Sequence, residues 1–258
     1  MDNHQESTPF ARIAVVTGAT SGIGAATARR FVDAGFAVVG NARDGARLRA
    51  LAAELGPAFC GVEGDAARAE TVAELFTAAV TTFGREADIV VANAGRGLGG
   101  SVGEADLARF EEILQLNVKG ALALMQGAAQ RMVGRQKAGF PGTPADIVAI
   151  GSVVGRHVSP FSAVYGATKF AVHGLAEALR REIGPKGVRV TLIEPGVVLS
   201  GFQDGAGYSE DQVARFTENF GPLTEAADVA NAIHFVVSQP AHVHVSNIVL
   251  RPTRQDYP

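Results

Sequence analysis

Tyr165 and Lys169 stand four residues apart in a segment of helical periodicity, so both side chains project from one face. An ammonium beside a phenol favours the phenolate. The spacing therefore predicts a Tyr165 pKa below the reference of about 10, and a proton donor usable near neutral pH. Ser152 lies just beyond the apolar run Ile147 to Ile150, where α/β sheets gather their ligands, and its hydroxyl can hold a carbonyl oxygen beside the phenol. These three groups can position a carbonyl and exchange a proton with it. The hydride of such a reaction has to come from a cofactor.

A site for that cofactor is legible near the N-terminus. Thr17-Gly18-Ala19-Thr20-Ser21-Gly22-Ile23-Gly24 follows the β-rich run Ile13 to Thr17 and opens a helical segment from about Gly22 to Ala34, closed by Gly35. Main-chain amides at such a helix start can face a pyrophosphate with no side chain in the way. No Gly-Lys-Ser/Thr follows, so the turn is not a P-loop. About twenty residues on, where a carboxylate would bind a ribose 2′-hydroxyl, the chain reads Gly40-Asn41-Ala42-Arg43-Asp44. Arg43 presents a planar fork suited to a 2′-phosphate, which points to NADP(H) in preference to NAD, with Asp44 as the cap of the next helix.

These groups need a scaffold, and the pattern supplies one. Apolar runs at Ile13–Thr17, Ala37–Gly40, Phe59–Val62, Ile89–Ala92, Ile147–Ile150, Val188–Ile193 and Val243–Leu250 alternate with helical stretches at about 46–55, 69–83, 104–133, 163–183 and 225–237. Continuous rather than alternating apolar strands mean a parallel sheet covered on both faces: a single doubly wound α/β domain of seven strands. The expected organisation is a flexible segment over residues 1–10 and one domain over 11–258, with a long loop at Gly134–Pro144 and an irregular stretch at Val197–Leu223 that covers the pocket.

Composition narrows the function. A net charge of -3 and the absence of any Lys/Arg run speak against a nucleic-acid partner, and no apolar run approaches the ~20 residues of a membrane span. The polar N-terminus does not read as a secretory leader, and the single cysteine, Cys60, fits a reducing compartment; the expected location is the cytoplasm.

The motifs together resemble the classical short-chain dehydrogenase/reductase family along nearly the whole chain. The turn TGATSGIG has the family's TGxxxGxG form, and Asp65, Asn93-Ala94-Gly95, Asn117, Ser152, Tyr165-x-x-x-Lys169 and Pro195-Gly196 follow in order. The resemblance implies an NADPH-dependent carbonyl reductase, or alcohol dehydrogenase in reverse, with Asn117, Ser152, Tyr165 and Lys169 as catalytic residues. It implies that Lys169 also holds the nicotinamide ribose and that Asn117 anchors a relay water. It assigns the adenine to Asp65 and Ala66, and the adenosine ribose and pyrophosphate to Asn93 and Gly95. Pro195-Gly196-Val197-Val198-Leu199-Ser200 matches PGxVxT, with Ser200 keeping a hydroxyl for the carboxamide. An NAD-linked alcohol dehydrogenase, a lyase or epimerase, and a non-catalytic dinucleotide-binding regulator are the alternatives on the same fold.

The resemblance also implies a homodimer or tetramer built on the helices that carry Leu122 and Phe170. His242 and His244, two apart in the expected last strand, could share a metal but lack an evident third ligand, so no metal is expected. His157 is a possible pocket residue. The acids Glu104, Asp106, Glu111 and Glu112 mark a helix start.

Overall fold

The computed structural model describes residues 10–256, apart from the side chains of 137–139, 204 and 205. The expectations of a flexible segment and of an N-terminus unlike a secretory leader fall on residues 1–10, of which only Phe10 is described. In chain order the elements are β1 Ile13–Thr17, α1 Gly22–Asp33, β2 Ala37–Ala42, α2 Gly45–Leu55, β3 Phe59–Glu63, α3 Ala69–Phe83, β4 Ile89–Ala92 and α4 Leu107–Leu114. A π-helical turn, Gln115–Gly120, leads into α5 Ala121–Gly139, then β5 Ala145–Ile150, α6 Ala163–Ile183, β6 Val188–Pro195, β7 Val198–Leu199, α7 Phe202–Ala206, α8 Glu210–Phe220, β8 Thr224–Glu225, α9 Ala226–Val237 and β9 Asn247–Leu250.

Seven parallel strands form one sheet in the order β3-β2-β1-β4-β5-β6-β9, and β7 pairs with β8 apart from it. Strands β1, β2, β4, β5 and β6 are buried at every position because helices cover both faces, which is why apolar residues predominate in them and do not alternate with polar ones. On one face Phe76 of α3, Leu124 and Met125 of α5 and Val172 of α6 pack on Val15, Val90 and Ile147. On the other, Phe31 of α1 and Val229 and Ile233 of α9 pack on Val16, Val91 and Val148. The order reverses between β1 and β4, and a crevice opens above that point at the strand C-termini, where ligands of open α/β sheets bind.

The opposite end of the sheet is held by charge. Arg12 meets Asp88 at 2.6 Å and Asp146 at 2.8 Å, and Arg189 grips Asp146 through Nε at 2.7 Å and Nη2 at 2.9 Å. All four are buried, and the guanidiniums also donate to main-chain carbonyls such as Val237 O.

Four expectations are corrected. The helical region expected at 104–133 starts at Leu107, because Asp106 caps α4 by accepting from Ala108 N and Arg109 N, and a π turn interrupts it. It then runs on to Gly139, so most of the expected Gly134–Pro144 loop is helix. The stretch 197–223 is not irregular but carries α7 and α8, the latter closed by a capping box between Ser209 and Gln212. The last strand is only Asn247–Leu250: His244 sits before it with Nε2 2.8 Å from Val190 O, so it does not share a strand face with His242.

Candidate active site

The crevice is a cavity of about 1050 Å³ that runs from the glycine turn to Tyr165. At its start Gly18 and Gly22 have φ of 66° and 48°, the left-handed region that favours glycine. A Cβ on Gly24 would collide with Gly18 O and Asn93 Nδ2, so the helix start approaches β1 as closely as only glycine permits. Asn93 locks the turn from the side by donating Nδ2 to Thr17 O at 2.8 Å, while Thr17 Oγ1 accepts from Asn93 N at 3.2 Å and Ala94 N at 3.1 Å. The result is a bare main-chain cradle at a helix N-terminus, shaped for a dinucleotide pyrophosphate.

Every residue assigned to the cofactor from the sequence, except Gly24 beneath the turn, lies on this cavity's wall. Thr20, Ser21, Gly22 and Ile23 line the turn; Arg43, Asp65 and Ala66 line one end; Asn93, Ala94 and Gly95 the floor; Pro195, Gly196, Val198 and Ser200 the far side. Arg43 is exposed at the rim. Asp44 is engaged as the cap of α2, accepting from Arg47 N at 3.0 Å. The cavity's dimensions and its bare amides fit a nicotinamide dinucleotide.

At the other end Tyr165 and Lys169 of α6 meet Ser152, which follows β5 in extended conformation; its hydroxyl accepts from Val154 N at 3.4 Å and lies close enough to the Tyr165 phenol to oppose the rise in its pKa. All three are buried, at 8%, 6% and 9% exposure. The expected pKa relation does not hold. Burial pushes the Tyr165 phenol above its usual value, with the Ser152 hydrogen bond opposing it, and burial lowers Lys169 to about 8. The physical reason is desolvation of both groups: Lys169 Nζ, which donates to Ile150 O at 2.7 Å, lies 5.7 Å from the centre of the phenol ring, and burial outweighs the attraction between the two.

Asn117 sits in the π turn, 2% exposed. Its Oδ1 accepts from Arg96 N at 2.9 Å, and its Nδ2 donates to Arg96 O at 2.9 Å and to Thr168 Oγ1 at 3.0 Å. Thr168 in turn donates to Tyr165 O at 2.7 Å. Asn117 thus clamps the loop after β4 to the helix between Tyr165 and Lys169. Both its amide hydrogens are engaged, so a relay water there would meet Oδ1 or main-chain carbonyls.

The stretch 197–223 roofs this end of the cavity. Phe202 of α7 packs on Tyr165 at 5.4 Å between ring centres, and Tyr208, Phe216 and Phe220 line the wall with Arg215 and Asn219 of α8. The capping-box pattern Ser209-x-x-Gln212 is the sequence signal for that helix. Gln255, near the C-terminus, also reaches the wall and accepts from Val197 N at 3.0 Å through Oε1. Motif reading passes over His173, two turns along α6 from Tyr165, whose Nε2 accepts from Ser152 N at 3.2 Å. His157 is exposed and not on the cavity wall.

Comparison with known proteins bears on the family and the fold. Residues 12–210 match the family described as short chain dehydrogenase. The chain is 36% identical over 245 residues to a serine 3-dehydrogenase of Agrobacterium fabrum, covering 94% of each. Among solved structures, the closed form of a serine dehydrogenase complexed with NADP+ superposes with a TM-score of 0.86 at 31% identity, covering 95% of this chain and 96% of that one. The 3-ketoacyl-(acyl-carrier-protein) reductase of Brucella melitensis complexed with NADH gives 0.85 at 27% identity, covering 95% and 98%.

Proposed function

The chain belongs to the short-chain dehydrogenase family and is an oxidoreductase of alcohol and carbonyl groups; from that premise we propose that it uses NADPH to interconvert the carbonyl and secondary alcohol of a small metabolite. The observation that carries the reading is the convergence of Ser152, Tyr165 and Lys169 at one end of a cavity whose other end is the glycine cradle. When bound, the cofactor supplies or accepts the hydride. Ser152 then positions the substrate oxygen by hydrogen bonding, Tyr165 gives it a proton, and Lys169 stands ready to hold the ribose and stabilise the phenolate left behind. Desolvation keeps the resting phenol protonated, the state a reductive turnover needs. Phe202 and the α8 aromatics exclude water from the reacting carbon.

A substrate bearing a carboxylate is supported by two observations. The cavity's acids, Asp44 and Asp65, lie at the Arg43 end, whereas Arg96 and Arg215 line the wall beyond. A relative named for oxidising serine at C3 adds a compound of that kind. Among the described residues no helix is long and apolar enough to cross a membrane, and a cytoplasmic homodimer or tetramer completes the reading. Leu122 and Phe170, each 44% exposed on α5 and α6, support the assembly. The test is loss of NADPH absorbance with a panel of ketones, aldehydes and 3-oxo acids, and the reverse reaction with 3-hydroxy acids including serine. No net cofactor turnover with any of them would favour a lyase, an epimerase or a regulator.

A further inference from the structure

Behind the Ser152 loop, on the side away from the cavity, lies a polar group that the reaction described above does not use. His173 continues the Tyr165, Lys169 spacing by one more turn of α6, and its side chain is 14% exposed. Its Nε2 accepts the main-chain N–H of Ser152 at 3.2 Å, which requires an unprotonated Nε2 and places the ring hydrogen on Nδ1. Nδ1 faces Glu194 of β6, at 3.7 Å from Oε2. Glu194 is fully buried and held by Arg156 through Nε at 2.8 Å and Nη2 at 2.6 Å, with Asn247 of β9 donating at 3.2 Å. A Cβ on Gly151 or on Gly155 would collide with the imidazole, so the main chain on both sides of Ser152 closes around this ring.

We propose that His173 is a positioning residue for Ser152: it fixes the main chain that aims the serine hydroxyl at Tyr165, and it does so only while its imidazole is neutral. Protonation turns Nε2 into a donor facing another donor, which breaks the link and frees the loop. The charged groups around the ring are Glu194 from β6, Arg156 from the turn after β5, and Lys169 from α6; Glu177 and Arg180 of α6 border the same recess. Burial, with Lys169 and Arg156 adding to it and Glu194 opposing, holds the His173 pKa down at about 4, so the neutral form prevails throughout the neutral range. The sign follows: the link is intact above that pKa and is lost as pH falls through it.

The inference rests on the reductase reading for its kinetic consequence, and the two are separable by experiment. In His173→Leu, which keeps bulk but has no acceptor, kcat should fall about 10–100-fold while the Kd for NADPH stays unchanged, as for other residues that orient a reacting group from behind. His173→Gln, whose Oε1 can reach the same N–H but does not titrate, should restore kcat to within a few-fold and remove the acid limb of the pH profile. Unaltered kcat in His173→Leu, or equal losses in both variants, overturns the proposal. If His173→Leu does not fold, the glutamine variant decides alone: near-native kcat without the acid limb supports the role, and a retained acid limb or a loss beyond tenfold contradicts it. If the unaltered protein turns over no carbonyl at all, the reductase reading is what fails. The positioning claim is then read by 15N NMR of the histidines: Nδ1–H at neutral pH supports it, and Nε2–H refutes it.

Discussion

Replacing Arg43 by alanine probes the choice of cofactor. Arg43 is exposed on the cavity rim, and the neighbouring carboxylate, Asp44, is held by Arg47, whose main-chain N donates to it at 3.0 Å and whose Nε stands 3.4 Å away. Arg43 is therefore the side chain at this rim best placed to read a 2′-phosphate, with Arg47 as a secondary charge. A charge-assisted hydrogen bond is worth about 1.5–3 kcal/mol, and exposure to screening salt places this one at the low end, about 1.5–2 kcal/mol. That amounts to a rise of about 10–30-fold in KM for NADPH, with KM for NADH within about twofold. Initial rates with each cofactor at saturating carbonyl measure both, and the native preference for NADPH should shrink as salt is raised. An equal change in both constants, or a native protein indifferent to the 2′-phosphate, would refute the assignment.

Further outcomes concern stability and assembly. Asp146→Asn strips the charge that compensates the buried Arg12 and Arg189; it should cost about 3–5 kcal/mol in urea unfolding with kcat nearly unchanged, since it lies at the opposite end of β5 from Ser152. Lys169 has a folded pKa of about 8 against an ordinary 10.5, so its buried cation lowers stability below pH 8 and the penalty fades as pH rises from 8 to 10.5. The native protein should gain up to about 3 kcal/mol over that window relative to Lys169→Met, and parallel pH dependences of the two would contradict it. Phe170→Glu should break the contact through α5 and α6 and halve the mass seen by light scattering, from a dimer to a single chain or from a tetramer to a dimer; a native protein already of one-chain mass would contradict the assembly.

The sheet and its cofactor wall were legible because their signals are local. β1 is apolar up to its last residue, Thr17, and is followed at once by the glycine turn, and Tyr165 and Lys169 need only a helix to share a face. What was not legible depends on distant groups. The π turn has no composition of its own, since Asn117 is held by Arg96 and Thr168, 21 and 51 residues away. The Tyr165 pKa could be read from spacing only by ignoring the Ile150 carbonyl that draws Lys169 aside, and the burial of both groups. His173 looks like one more helix residue until β5 and β6 bring Ser152 and Glu194 against it. In 197–223 the glycines and acids hid α8, whose apolar residues, Phe216 and Phe220, face the cavity and not the sheet.

The central claim is that Tyr165 delivers the proton to a carbonyl held by Ser152. Tyr165→Phe keeps the ring that packs on Phe202 and removes only the transferable proton. Turnover should be measured on the native protein and on this variant with the best carbonyl of the panel, alongside NADPH binding by fluorescence titration. The account predicts an unchanged Kd for NADPH and a fall in kcat of about 100-fold or more, the scale of a lost general acid. Turnover within tenfold of native, with cofactor still bound, would show that the proton comes from another group.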